Sequence, residues 1–233
     1  MTQSPQLDPR TAALTTYLSS ARLFPYLSAT DQNTKAALRL YQWNIDLSGA
    51  AYEALHMFEV VLRNALDRQL GPWNATQIDP RTGVAHSSDW LMDPSRLLKR
   101  LTRSDIDKAN DRARQALRRY KRVPGHADVL AHLSLGTWRY LLPDRDAGRQ
   151  LLWAQALAAA FPHLTAAPHD LTASVSGIHK LRNRVAHLEP LLRTHSVAQE
   201  VTMMRRVLSY IDPYAEQWFT SRQRVTSVIK QRP

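Results

Sequence analysis

The 233-residue chain lacks cysteine entirely and contains only 7 glycines. Without cysteine it forms no disulfide and no thiolate metal site. So few glycines leave little room for tight hairpin turns, whereas helix-favouring Ala, Leu, Arg and Gln are plentiful. These features predict an all-α fold, organised as one domain over 1–233, and the 44% hydrophobic content is enough for a substantial core.

Long apolar runs and targeting segments are also missing. No run approaches the roughly 18 uninterrupted apolar residues that a membrane-spanning helix needs. The first residues show neither the charged nor the apolar region of a signal peptide. We therefore expect a cytoplasmic protein that makes no membrane contact.

The short motifs of several enzyme classes are absent as well. The chain has no glycine-rich phosphate loop, no His-Glu-x-x-His, no Gly-x-Ser-x-Gly and no aspartate-rich metal set. Kinases, metalloproteases and serine hydrolases therefore have no support. We expect neither a metal ion nor another cofactor.

Negative charge is scarce, with 20 acidic against 31 basic residues and a net charge of +11. Much of the excess lies in 95–122, which we predict to form two helices, 95–101 and 105–122. A polyanion such as RNA is the natural partner of this segment, since Tyr120 is its only aromatic residue and offers little for lipid insertion. The alternative is an ordinary solvated helix face. The residues that we predict to contact RNA here are Arg112, Arg118, Arg119 and Arg122.

Helical periodicity divides the rest of the chain. One amphipathic helix is predicted over 10–24, with Leu14, Tyr17 and Phe24 on its buried face and Pro25 at its end. Another is predicted over 49–70, capped by Ser48 and ended by Gly71-Pro72. The further predictions are a loop insertion at 71–94, a helix at 146–161, helices at 171–187 and 197–211, and a frayed basic tail at 222–233. The apolar face predicted for the helix at 171–187 consists of Leu171, Val175, Ile178 and Leu181, and that of the helix at 197–211 of Val197, Val201, Met204, Val207, Leu208 and Ile211.

The most informative stretch is 176–190, which places Arg182, Asn183 and His187 at the end of a predicted helix. Asn183 and His187 are i,i+4 neighbours, while Arg182 and His187 lie about 140° apart in a regular helix. Arginine suits a phosphate, histidine moves a proton near neutral pH, and asparagine supplies a hydrogen bond. The same Arg-to-His spacing recurs at Arg81 and His86, but the neighbouring proline and glycine predict a turn there.

The segment Leu181-Arg-Asn-Arg-Val-Ala-His187 resembles the Arg-polar-x-x-x-His motif of HEPN ribonucleases. The surrounding chain is similar to the Abi-like (abortive infection) branch of that superfamily. Three further stretches carry the resemblance in the family's order, at 37–44, 58–67 and 133–142, so that it covers roughly 14–212. The family often has a second histidine where Leu188 stands and an aromatic residue where Leu135 stands.

This resemblance implies a HEPN-like helical bundle and a metal-independent endoribonuclease that acts as a toxin-type effector of phage defence. It implies that Arg182 holds the scissile phosphate, that His187 acts as general base or acid, and that Asn183 orients His187 or binds the phosphate. It also implies a homodimer and control by a protein or RNA antitoxin.

Two sets of residues can each be interpreted in more than one way. Glu59, Arg63 and Asn64 stand in the family's upstream block and are predicted to support the site, although Glu59 and Arg63 also match an ordinary i,i+4 ion pair. Arg184 is either a second RNA contact or a solvated charge. For the whole protein, the alternatives are a non-catalytic RNA-binding member and a structural α-helical interaction protein.

Overall fold

The computed structural model describes residues 8–102 and 104–233, and it confirms the all-α prediction. The only β-type pairing in these residues is an isolated antiparallel bridge between Ile78 and Ala85. The α-helices are α1 (Pro9–Leu18), α2 (Ser20–Ser28), α3 (Thr34–Ala75), α4 (Arg96–Thr102), α5 (Asp105–Leu117), α6 (His126–His132), α7 (Leu135–Leu141), α8 (Ala147–Gln155), α9 (Pro168–Ala186), α10 (Thr194–Ile211), α11 (Pro213–Arg222) and α12 (Val225–Lys230). Two 3-10 turns cover Arg118–Tyr120 and Leu157–Ala160.

Helix α3 is the central element, with 42 residues and a length of about 60 Å. It packs against α2, α7, α9, α10, α11 and α12. The predicted helix start at Ser48 is wrong, because Ser48 lies inside α3 and its hydroxyl donates to the carbonyl of Asn44 at 2.8 Å. A serine inside a helix can bond back to the carbonyl four residues earlier in this way, so its presence does not require a cap.

The predicted helix end at Gly71-Pro72 is also wrong, since α3 continues to Ala75 with Pro72 inside its last turn. Proline costs a helix one hydrogen bond, but the ring of Pro72 is exposed and the residues after it are strongly held. Trp73 is buried, and the side chain of Asn74 donates to Ser87 O at 2.7 Å. The burial and hydrogen bonds that follow Pro72 thus favour one more helical turn.

The segment between α3 and α4, predicted as the 71–94 loop, is therefore shorter and is firmly packed. Asn74 also donates to Asp93 O at 2.9 Å and accepts from Ser95 N at 2.9 Å. Trp90 is completely buried, and its Nε1 donates to Asp67 of α3 at 2.8 Å.

The predicted N-terminal helix over 10–24 is wrong in both its bounds and its buried face. The chain breaks at Ser19, whose φ is +66°, and α2 then runs through Pro25 to Ser28. Leu14, Tyr17 and Phe24 are 52%, 89% and 67% exposed, so the predicted apolar face does not pack against the core. The side chains that α2 buries are those of Leu23 and Tyr26.

The basic tail predicted to fray at 222–233 instead docks on α3 through α12. Val225 and Val228 are buried, and Trp43 Nε1 donates to Val228 O at 2.8 Å. Arg224 binds Glu53 through two hydrogen bonds of 2.9 and 2.6 Å. Apolar burial and this ion pair outweigh the charge of the segment.

Elsewhere, several predicted helices prove too long and the apolar faces are confirmed. Helix α5 ends at Leu117, and the predicted helix over 146–161 breaks after Gln155. Leu171, Val175, Ile178 and Leu181 of α9 are all buried, as is the apolar face of α10. In the described part of the chain, no helix has the length and apolar character to cross a membrane.

Candidate functional site

Helix α9 carries the motif and ends abruptly after it. Pro168 occupies the first helical turn, where its missing N–H costs nothing. His187 is the C-cap, and Leu188 follows with a left-handed φ of +57°. The N–H of Glu189 bonds Arg184 O at 2.9 Å, so the chain turns back over the last helical turn. Glycine or asparagine is usual at the position that Leu188 occupies.

The segment after α9 is fixed to α3. Leu191 N donates to Asn44 Oδ1 at 2.6 Å, and Asn44 is buried. Arg184 Nη2 donates to Pro190 O at 2.7 Å, and its Nε lies 3.5 Å from Glu189. These contacts orient the end of α9. The predicted RNA contact of Arg184 stays a prediction.

A small cleft separates α3 from the end of α9. Arg182 and Ala186, one turn apart, line one side of it. The other side is formed by four residues of α3, namely Tyr52, Leu55, His56 and Glu59. Its volume of about 130 Å³ is smaller than ordinary ligand pockets of roughly 300–1,000 Å³. The cleft therefore has room for one group, such as a phosphate, rather than for a whole nucleotide.

Glu59 is the acidic residue of this cleft. Burial raises the pKa of its carboxyl group, and this effect exceeds the opposing influence of Arg182, Arg63, the Leu135 N–H and His56. The carboxyl group accepts a hydrogen bond from the N–H of Leu135, the first residue of α7, and it lines the cleft on the side opposite Arg182. This position links three helices, α3, α7 and α9, at the cleft.

The other two predicted supporting residues lie one turn further along α3. Arg63 is half-buried and Asn64 is exposed, with Arg63 Nε donating to Asn64 Oδ1 at 3.3 Å. Arg63 influences Glu59 through its charge, and no direct ion pair joins these two described residues. The support that Arg63 and Asn64 give to the site stays a prediction.

Helix α7 packs closely on α9 behind the cleft. A methyl group on Gly136 would lie 3.2 Å from Nε2 of His179, so glycine allows the close approach. Burial lowers the pKa of His179, and the charges of Arg139 and Arg182 lower it further. Arg139 Nε donates to Ser176 Oγ of α9 at 3.1 Å.

The three predicted catalytic residues are close in sequence but differ in setting. Arg182 and Asn183 are half-buried, whereas His187 is exposed at the end of the helix, directly after Ala186 of the cleft. Among the described residues, no side-chain hydrogen bond joins Arg182, Asn183 or His187 to one another. The arrangement offers a half-buried guanidinium that lines the cleft and an exposed imidazole at the end of the same helix.

The predicted RNA-binding arginines lie on and after α5. Arg112, Arg118 and Arg119 are exposed, and the Arg119 guanidinium lies over the Tyr120 ring at 4.6 Å. Arg122 instead pairs with Asp128 at 2.5 Å. Three of the four predicted arginines therefore have no acidic partner among the described residues.

The sequence analysis did not predict that His56 and His179 lie near Arg182, or that Arg139 lies near His179. The spacing of His56 and Glu59, i and i+3 on one helix, places them on one face and was the available signal. The proximity of α7 had no such signal, because it depends on tertiary packing. In residues 8–102 and 104–233, no cluster of three His, Asp or Glu side chains is arranged to hold a metal ion.

The protein is thus an all-α protein in which Arg182, Glu59 and His56 line a cleft between α3 and α9. Comparison with known proteins finds no matching family model, no similar curated protein and no similar solved structure. The resemblance to Abi-like HEPN proteins therefore stays a prediction, and the residues of the cleft are what support a function.

Proposed function

We propose that this protein is a metal-independent endoribonuclease of the HEPN type, acting as a toxin-type effector of phage defence. The observation that carries the proposal is Arg182 in a cleft of phosphate size, facing Glu59 and next to the exposed His187 end of α9. The alternatives are an RNA-binding protein without activity and a structural interaction protein.

The proposed reaction is an internal transesterification. His187 accepts the proton of the 2′-hydroxyl, and the 2′-oxygen attacks phosphorus. The bond from phosphorus to the 5′-oxygen breaks, and that oxygen takes up a proton. The products are a 2′,3′-cyclic phosphate and a 5′-hydroxyl. Arg182 stabilises the negative charge that develops on the non-bridging oxygens.

Glu59 supports this reaction by its position. Its carboxyl group lines the same cleft as Arg182 and accepts a hydrogen bond from the start of α7, so it places negative charge near the guanidinium. Asn183 lies one turn before His187 and is suited to orient the imidazole or to bind the phosphate. Arg112, Arg118 and Arg119 add exposed positive charge that is available to RNA.

A homodimer belongs to the same proposal, together with an inhibitory protein or RNA antitoxin. Ala186, His187 and Leu188 are exposed at the end of α9, and an isologous contact there would present the same patch from both copies. Light scattering is expected to give twice the 26.5 kDa chain mass. A mass of 26.5 kDa at every working concentration would contradict the dimer.

The activity test compares matched single variants on labelled single-stranded RNA. Arg182→Ala and His187→Ala are each expected to lower kcat/KM by about 10²–10³-fold, the usual effect of removing one stabilising or proton-transferring group. Arg193→Ala and His195→Ala, which alter the exposed Arg and His nearest in sequence, are the controls and should retain activity.

The alternatives give different results in the same assay. Binding without cleavage by the wild-type protein would indicate the RNA-binding function, and neither binding nor cleavage would indicate a structural one. Full activity of either Arg182→Ala or His187→Ala would move the site elsewhere. Circular dichroism confirms that each variant is folded.

A further inference from the structure

The α3 side of the cleft carries an imidazole that the proposed reaction has not used. His56 lines the same cleft as Arg182, one helical turn before Glu59. Its neighbour Leu55 is 3% exposed and anchors this part of α3 in the core. His56 is therefore presented to the cleft by a rigid, fully packed helix.

The ring of His56 is available to a substrate. The residue is exposed, and among the described residues its side chain takes part in no hydrogen bond or ion pair. The other imidazole near Arg182, that of His179, is half-buried against Gly136. His126, elsewhere in the fold, has both ring nitrogens bonded to carboxylates.

The reaction requires a second proton-transfer group. One imidazole accepts the proton of the 2′-hydroxyl, while the departing 5′-oxygen needs a proton in the same step. A single imidazole cannot be base and acid at once. A phosphate bound at Arg182 would lie between α3, which carries His56, and the end of α9, where His187 directly follows the lining residue Ala186.

We propose that His56 is a second catalytic residue and acts as the general acid. It donates its proton to the 5′-oxygen as the phosphorus–oxygen bond breaks, while His187 accepts the proton of the 2′-hydroxyl. After product release the two imidazoles exchange these protons with solvent. This assignment depends on the proposed ribonuclease function, and it provides both groups without a second copy of the chain.

The test is the kinetics of His56→Gln on a defined RNA substrate. The variant is expected to lower kcat by about 10²–10⁴-fold, the usual contribution of general acid catalysis, and to change KM little. Its rate–pH profile should lose the high-pH limb of the wild-type bell, because that limb reports the protonated acid.

A substrate with a bridging 5′-sulfur identifies the role directly. A thiolate leaves without protonation, so this substrate should restore His56→Gln to within about tenfold of the wild-type rate, since the acid's contribution is no longer needed. It should not restore His187→Gln. Equal deficits on the oxygen and sulfur substrates would show that His56 is not the acid.

Matched controls separate this inference from the function on which it depends. His195→Gln alters an exposed histidine on α10 and should leave kcat and the pH profile unchanged. If the wild-type protein cleaves no RNA, the proposed function fails. If it cleaves RNA and His56→Gln retains full kcat, only the assignment of His56 fails.

Discussion

At the scale of single residues, the turn that ends α9 carries backbone strain. Leu188 adopts a φ of +57°, a conformation that costs a residue with a Cβ about 1–2 kcal/mol. Its side chain is 66% exposed and contributes little packing. This strained residue directly follows His187, and its backbone conformation sets the direction in which the chain leaves the proposed site.

Leu188→Asn is expected to stabilise the protein by about 0.5–1 kcal/mol, because asparagine tolerates the left-handed region better than leucine. Denaturant unfolding measures the change. Leu14→Asn is the matched control, since Leu14 is an exposed leucine inside helix α1. Equal effects of the two substitutions would show that strain at Leu188 is not the cause.

Sequence reasoning at this scale succeeds where a residue's surroundings are local. The buried positions of α9 follow from apolar residues spaced three and four apart, and the predicted Leu171, Val175, Ile178 and Leu181 are all buried. The proximity of Glu59 to Arg182 was expected only through the family resemblance. The position of His56 in the cleft was not predicted, because the face that α3 turns toward α9 depends on the packing of elements distant in sequence.

At the scale of elements, the wrongly predicted helix ends share a physical cause. The ends predicted at Ser48, Pro72 and Pro25 rest on local preferences of about 1–3 kcal/mol. Burial of Trp73 and Tyr26 and the hydrogen bonds of Asn74 outweigh those preferences. Such contacts join residues far apart in sequence, which no local pattern reveals.

One such contact joins the segment between α3 and α4 to its neighbours. His126 Nδ1 lies 2.7 Å from Asp89 Oδ1, and Nε2 lies 2.9 Å from Asp67 Oδ1. Burial lowers the pKa of His126, but the hydrogen bonds and charges of both carboxylates outweigh it and leave the pKa raised above 6.5. The protonated ring thus holds Asp89 of the loop to α3.

This contact predicts a defined pH dependence of stability. Because the folded pKa is raised, the contribution is complete below about pH 6.5 and is lost as pH rises through the folded pKa. The free energy of unfolding of His126→Gln should therefore fall less over this range than that of the wild type. Parallel pH curves for the two proteins would contradict the contact, and His195→Gln is the control.

At the scale of the whole molecule, the net charge of +11 predicts strong, salt-dependent binding of RNA. The triple substitution of Arg112, Arg118 and Arg119 by Gln should reduce the slope of log affinity against log salt by about 2, since each phosphate contact contributes roughly 0.7. Arg122 is left unchanged because its pairing with Asp128 is structural.

The control removes the same charge elsewhere, through Arg39→Gln on α3 and through Arg145→Gln and Arg193→Gln in loops, all three being exposed. Filter binding at several salt concentrations measures both slopes. An equal reduction in the two triple variants would show that only the overall charge matters. The α5 surface would then have no specific part in RNA binding.

The central claim is that the nucleophile belongs to the RNA, and one substituted substrate tests it. A labelled RNA cut at a mapped linkage is compared with the same RNA carrying a single 2′-deoxy sugar on the 5′ side of that linkage, both in EDTA. The account predicts cleavage of the first with a 2′,3′-cyclic phosphate end, and no cleavage at the deoxy position. Cleavage at the deoxy position would show attack by water and would contradict the role assigned to His187.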